Sequence, residues 1–115
     1  MKPIVILLQQ KAISWNKFYS GKHWSVRSRI AKEWHELVYY SCYNQMIKPV
    51  GKGKNITIEA HCKGKMLDAD NVNSKVIIDG LKYAKIIGDD TNEWVKSVTT
   101  KCVKSKGDFV KVIIN

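Results

Sequence analysis

The chain is 115 residues long, with 44% hydrophobic and 26% charged residues, which is the length and balance of one folded domain with a modest core rather than a disordered segment. Twenty Lys and Arg against ten Asp and Glu leave a formal charge of +10. A field of that size on a chain this short favours a polyanionic partner, with nucleic acid first among the candidates and a merely soluble basic protein as the alternative. Cys42, Cys62 and Cys102 are odd in number and lie in no metal-ligand spacing, which argues against a disulfide framework or a zinc site. Reduced thiols and the lack of a spanning apolar run point to a cytoplasmic protein, whether bacterial or made in a phage-infected cell.

In chain order, the apolar run at 3–10 predicts a first strand, and its alternate residues (Ile4, Ile6, Leu8 against Val5, Leu7) are hydrophobic on both faces. Residues 11–22 read as a polar loop. A long helix is expected from about Ser25, taken as the N-cap, to about Met46, its buried face made by Val26, Ile30, Trp34, Leu37 and Val38, with Pro49, Gly51 and Gly53 ending it. Residues 55–62 alternate, placing Ile56, Ile58, Ala60 and Cys62 on one face of a half-buried strand. A second helix is expected from about Asp70 to Ala84, with Val72, Val76, Ile77, Gly80, Leu81 and Ala84 as its apolar stripe. Two strands at about 94–104 and 109–114, joined as a hairpin at Lys106-Gly107, complete a β-α-β-α-β-β order. The fold class is therefore α+β, a single small domain with a mixed or antiparallel sheet and two main helices.

Acidic residues are unevenly placed. Residues 1–55 carry ten Lys and Arg but only Glu33 and Glu36 as acids, whereas six of the ten acids fall between 68 and 93. Carboxylates repel phosphate, so a cluster of them in a polyanion binder calls for a cation or for a local role as caps and loop residues. Asp68-Ala69-Asp70-Asn71 puts two carboxylates two residues apart, on one side of an extended segment. Ile86-Ile87-Gly88-Asp89-Asp90 supplies a second pair, with Gly88 expected to permit a sharp turn. If the helix between them folds back on the preceding strand, the two pairs can meet. Oxygen donors without His or Cys suit Mg²⁺, or Mn²⁺, rather than zinc.

The stretch DADNVNSKVIIDGLKYAKIIGDD, residues 68–90, resembles the signature of RusA-type Holliday junction resolvases. Asn16-Lys17-Phe18-Tyr19 after the first strand resembles that family's Asn-basic-aromatic-Tyr segment, and the element order agrees. The resemblance implies a homodimeric endonuclease that nicks four-way DNA junctions symmetrically with Mg²⁺ or Mn²⁺. It assigns catalytic roles to Asp68, Asp70, Lys75 and Asp90, and metal binding to Asp68, Asp70, Asp89 and Asp90, with Asn71 the asparagine after the second Asp. Lys75 follows Asp70 by five residues where some members have four, and the approach to Asp68 is Lys63-Gly64-Lys65-Met66-Leu67 rather than arginine-rich. An i,i+4 pairing with Asp79 is the structural alternative for Lys75. Backbone contacts to DNA are expected from Asn16, Lys17, Lys22, Arg27, Arg29, Lys63, Lys65 and Asn71. His23, His35 and His61 lack ligand spacing, and of the tryptophans Trp15 and Trp24 can stack on bases while Trp34 belongs to the core. The rival readings are a metal-dependent nuclease for other branched or single-stranded DNA, and a non-catalytic nucleic-acid-binding module in which the aspartates are caps.

Overall fold

A computed structural model describes residues 2–19, 21 and 23–115. Its sheet has four strands, β1 (Ile4–Leu8), β2 (Lys54–Cys62), β3 (Val95–Lys104) and β4 (Phe109–Ile114), in the spatial order β1-β4-β2-β3. Between them lie a short helix α1 (Trp15–Tyr19) and two longer ones, α2 (Trp24–Asn44) and α3 (Ser74–Tyr83). The α+β class and the two main helices are as expected.

The alternation in β2 decides which side of the sheet is covered. Ile56, Ile58, Ala60 and Cys62 are fully buried, as are Ile6, Leu8, Val110 and Val112 on the neighbouring strands. Trp34 and Val38 of α2 and Val76, Ile77 and Leu81 of α3 pack on that face, each large apolar side chain contributing about 1.5–3 kcal/mol by leaving water. The helices leave the opposite face without a helical layer, where Val5 and Leu7 are 40% and 38% exposed. The open edge of β1 is blunted instead by a side chain: Gln45 Oε1 accepts from the Leu7 N–H at 2.9 Å and Gln45 Nε2 donates to the Leu7 carbonyl at 2.7 Å, as a neighbouring strand would.

Four expectations are corrected. Residues 11–22 are not loop throughout, because Ser14 initiates α1: its carbonyl accepts from Phe18 N–H and its Oγ from Lys17 N–H. The long helix begins at Trp24, and His23 rather than Ser25 is its N-cap, the ring accepting from the Ser25 N–H. Its last helical residue is Asn44 with Gln45 as C-cap, within two residues of the expected Met46, but Pro49, Gly51 and Gly53 lie beyond that end and do not terminate it. Met46 there adopts φ 58 and Ile47 N–H returns to the Cys42 carbonyl, a Schellman closure without glycine.

The fourth correction concerns β3 and β4, which do not form a hairpin. β3 runs parallel to β2 and β4 antiparallel to it on its other side. The segment containing Lys106 and Gly107 crosses over the end of β2, where Ser105 N–H bonds the Cys62 carbonyl and Asp108 Oδ1 accepts from Lys63 N–H. A turn-rich tetrapeptide carries the same local signal whether it joins neighbours about 5 Å apart or strands two spacings apart. The parallel β2–β3 pairing follows from the crossover through α3, which returns the chain to the same end of the sheet.

Candidate functional site

The first acidic pair lies between β2 and α3. Ala69–Asn71 forms a single 3₁₀ turn, with Asp68 extended at its start (φ −71, ψ 141) and making no side-chain cap. Asp68 and Asp70 are both exposed. The backbone beneath them is pinned from several sides. Thr100 Oγ1, reaching up from β3, donates to the Ala69 carbonyl at 2.7 Å. Asn71 Oδ1 accepts from the Asn16 N–H at 3.3 Å, Asn73 N–H bonds the Ile13 carbonyl at 2.9 Å, and Ser14 pairs with Val72 as an isolated antiparallel bridge. Asn16 and the DADN turn are 55 residues apart in sequence and are in direct contact.

Asp70 is not the entry to the second helix. The chain stays extended at Val72 and enters α3 through Asn73, whose Oδ1 caps the Val76 N–H at 3.3 Å. Asn is as good an N-cap as Asp, and it is Asn73, not Asp70, that the apolar phase of α3 places at the helix start. Lys75 therefore occupies the first turn of α3. Its Nζ lies 3.1 Å from Asp79 Oδ2, so the i,i+4 pair is formed.

The second acidic pair follows the other end of α3. That end also closes as a Schellman motif without glycine: Lys85 takes φ 61, and Ile86 N–H bonds the Leu81 carbonyl. Gly88 is needed here for space rather than for a left-handed turn, because a Cβ at that position would collide with the Trp94 ring. Asp89 Oδ1 accepts from Asp90 N–H at 2.8 Å and lies 3.2 Å from Lys82 Nζ, which is also 3.8 Å from Asp90 Oδ1. The Asp90 N–H first, and Lys82 second, hold the Asp89 carboxyl below its ordinary range, and the bond to Asp89 raises Lys82.

Among the described residues, no three His, Cys, Asp or Glu side chains gather closely enough to hold a metal ion. The expected meeting of Asp68 and Asp70 with Asp89 and Asp90 is thus not formed. The ten residues of α3, roughly 15 Å of helix, separate the two pairs along the chain, and Lys82 retains the second. Mg²⁺ commonly takes only one or two carboxylates and completes its octahedron with water and phosphate oxygens. The donor set of Asp68 and Asp70 fits that mode, whereas an all-carboxylate cage does not assemble. A shallow open groove of about 540 Å³ does bring Lys75 and Asp90 to shared walls, together with His35, Asp79, Lys82 and Tyr83.

The basic and amide residues expected on DNA fall in two groups. Asn16, Lys17, Arg27 and Arg29 surround α1 and the first turns of α2, with Arg27 stacked 5.3 Å over the Tyr19 ring and Arg29 Nε 3.8 Å from Glu33. Lys63 and Lys65 are exposed in the segment leading to Asp68, whose backbone is tied down by Lys104 Nζ bonding the Lys63 and Gly64 carbonyls. Asn71 acts in support of the turn through its bond to Asn16. Lys22 lies outside the described residues. Sequence reading passed over Thr100, Asn73 and Lys82. Asn73 carried a usable signal as a capping residue three positions before Val76; Thr100 and Lys82 carried none, because their partners are remote or reached only by the fold-back after α3.

No helix among the described residues is long and apolar enough to cross a membrane. No family model matches the chain, and no curated protein matches it.

Proposed function

We propose that this protein is a structure-selective DNA endonuclease of RusA type, resolving four-way junctions by Mg²⁺-dependent cleavage as a homodimer. The observation that supports the reading most is the contact between the Asn16 segment and the Asp68–Asn71 turn. The two stretches that carry the resemblance to one family, far apart in sequence, meet in one local unit, with Lys17 next to Asn16 and the carboxylates of Asp68 and Asp70 exposed. Mn²⁺ suits the same donors.

In this reading Asp68 and Asp70 would hold the cation, and Lys17, Arg27, Arg29, Lys63 and Lys65 contact flanking phosphates. When bound, Mg²⁺ supplies Lewis-acid polarisation of the phosphate and a more acidic water. Lys75, positioned by Asp79, offsets negative charge that develops on the phosphate or the leaving oxygen. Asp89 and Asp90, at the other end of α3 and bound by Lys82, would form a separate acidic pair able to take a cation of its own once Lys82 leaves it. Two symmetric nicks call for two such sites related by a two-fold axis, and the sheet face bearing Val5 and Leu7 offers apolar surface for pairing two copies.

One observation favours a second reading, a non-catalytic nucleic-acid-binding module: the absence of any three-donor group among the described residues. Nicking of a labelled four-way junction in competition with linear duplex separates the two. Wild-type protein is expected to nick the junction with Mg²⁺ and not with EDTA. Asp70→Asn is expected to lose nicking by at least about a hundredfold, a loss of transition-state stabilisation of roughly 3 kcal/mol, while binding the junction as tightly as wild type or more so. Junction binding without nicking by the wild type, in either Mg²⁺ or Mn²⁺, selects the module instead.

A further inference from the structure

Beside the acidic turn lies a cavity of about 370 Å³, within the size range of small-ligand sites. Its walls come from the segment after β1, from α2, and from Leu67, the second residue before Ala69. Ile13, Ile30, Trp34 and Leu67 give it an apolar lining, and Trp34 is only 2% exposed. Gln10, Lys11, Ser14, Lys17 and Glu33 supply its polar groups. The wall is continuous with the candidate site: Ile13 and Ser14 are the residues that pair with Asn73 and Val72, and Leu67 adjoins Asp68.

We propose that this cavity receives a nucleobase turned out of the DNA stack next to the acidic turn. The inference rests on the DNA-binding part of the reading above and not on its chemistry. A carboxylate in the lining disfavours a phosphate inside, yet suits a neutral group with N–H donors. Glu33 can accept from the exocyclic amine of adenine, cytosine or guanine, which thymine lacks. The apolar side chains of Ile13, Ile30 and Leu67 replace part of the contact that an unstacked base gives up, and Lys11 and Lys17 attract the phosphates on either side of it. A branch point is where such a base is least costly to extrude, since its stacking is already interrupted.

The test reads the Trp34 indole N–H by NMR during titration with the four deoxynucleoside 5′-monophosphates, with 2-deoxyribose 5-phosphate as the base-free probe. The nucleotides bearing an exocyclic amine are expected to shift the Trp34 signal, thymidylate to bind more weakly, and the sugar phosphate to leave it in place, while the Trp94 signal stays still throughout. Ile30→Phe, which fills the cavity, should abolish the shift. Glu33→Ala, a change at an exposed position, should weaken the three amine-bearing nucleotides about fivefold, the worth of one hydrogen bond, and leave thymidylate unchanged. Equal shifts with the sugar phosphate, or no shift with any nucleotide up to about 10 mM, overturn the proposal. Nucleotide binding here without junction nicking would leave the cavity assignment standing and remove the endonuclease; nicking without a Trp34 response would do the reverse.

Discussion

Lys82 Nζ sits 3.2 Å from Asp89 Oδ1 and 3.8 Å from Asp90 Oδ1, so one ammonium group bridges two neighbouring carboxylates. Under the proposed function Lys82 is a competitor of the metal. Lys82→Gln is expected to tighten Mn²⁺ binding about threefold by calorimetry, because the carboxylates lose an attached cation. Unchanged Mn²⁺ affinity in Lys82→Gln would take Asp89 and Asp90 out of the metal set and leave Asp68 and Asp70 alone.

Gly80 brings α3 against α2. A Cβ there would lie 2.7 Å from Val38 Cγ2 and 2.9 Å from Val38 Cβ, and Val38 is itself fully buried. The contact is with the branch point of a stiff side chain, so it cannot be relieved by swinging a flexible end away. Gly80→Ala should therefore destabilise the protein by about 2 kcal/mol in spite of alanine's better helix propensity, lowering Tm by roughly 8 °C. Val38→Ala added to Gly80→Ala should cost less than Val38→Ala alone, a coupling visible in a double-mutant cycle of thermal melts.

Met46 closes α2 at φ 58 with 84% of its surface exposed, so its side chain contributes little packing to offset the steric cost of the left-handed region. Met46→Gly removes that cost and adds the larger entropy loss of glycine. The net is a gain of about 0.5–1 kcal/mol, or roughly 2–4 °C in Tm. The same replacement two residues earlier, Asn44→Gly, falls inside the helix and should lower Tm.

His35 confers a pH dependence. Its Nε2 is buried without a hydrogen-bond partner among the described residues, and burial is the main reason its pKa lies below the ordinary 6.5, Asp79 opposing the shift and Lys75 adding to it. The unfolded chain then binds its proton at higher pH than the folded one. Stability is complete above the unfolded value and declines as pH falls through 6.5 towards the lower folded value. Urea unfolding between pH 8 and 5 should show this loss, and His35→Gln should flatten it; a wild-type profile that is flat across this range would mean that the ring protonates equally well in both states.

What the sequence by itself determined is what local periodicity encodes. Residues two apart in 55–62 and three or four apart in 72–81 select their own buried faces, so the β2 face, the α3 stripe and the core role of Trp34 were legible before any fold was known. The concentration of acids between 68 and 93 was equally plain, since it is a property of composition along the chain. Tertiary structure alone decided which neighbours those elements acquired. The β2–β3 pairing, the crossing of 105–108 over the end of β2, the docking of Asn16 on Asn71 and the bond from Thr100 to Ala69 all join residues far apart in the chain. No turn preference or spacing rule specifies such contacts, because they depend on which edges remain open once the core has closed. Lys82 makes the same point at short range. It is only seven residues from Asp89, and their ion pair exists because Lys85 turns left-handed and folds the chain back, an outcome set by Ile86 and Ile87 entering the core.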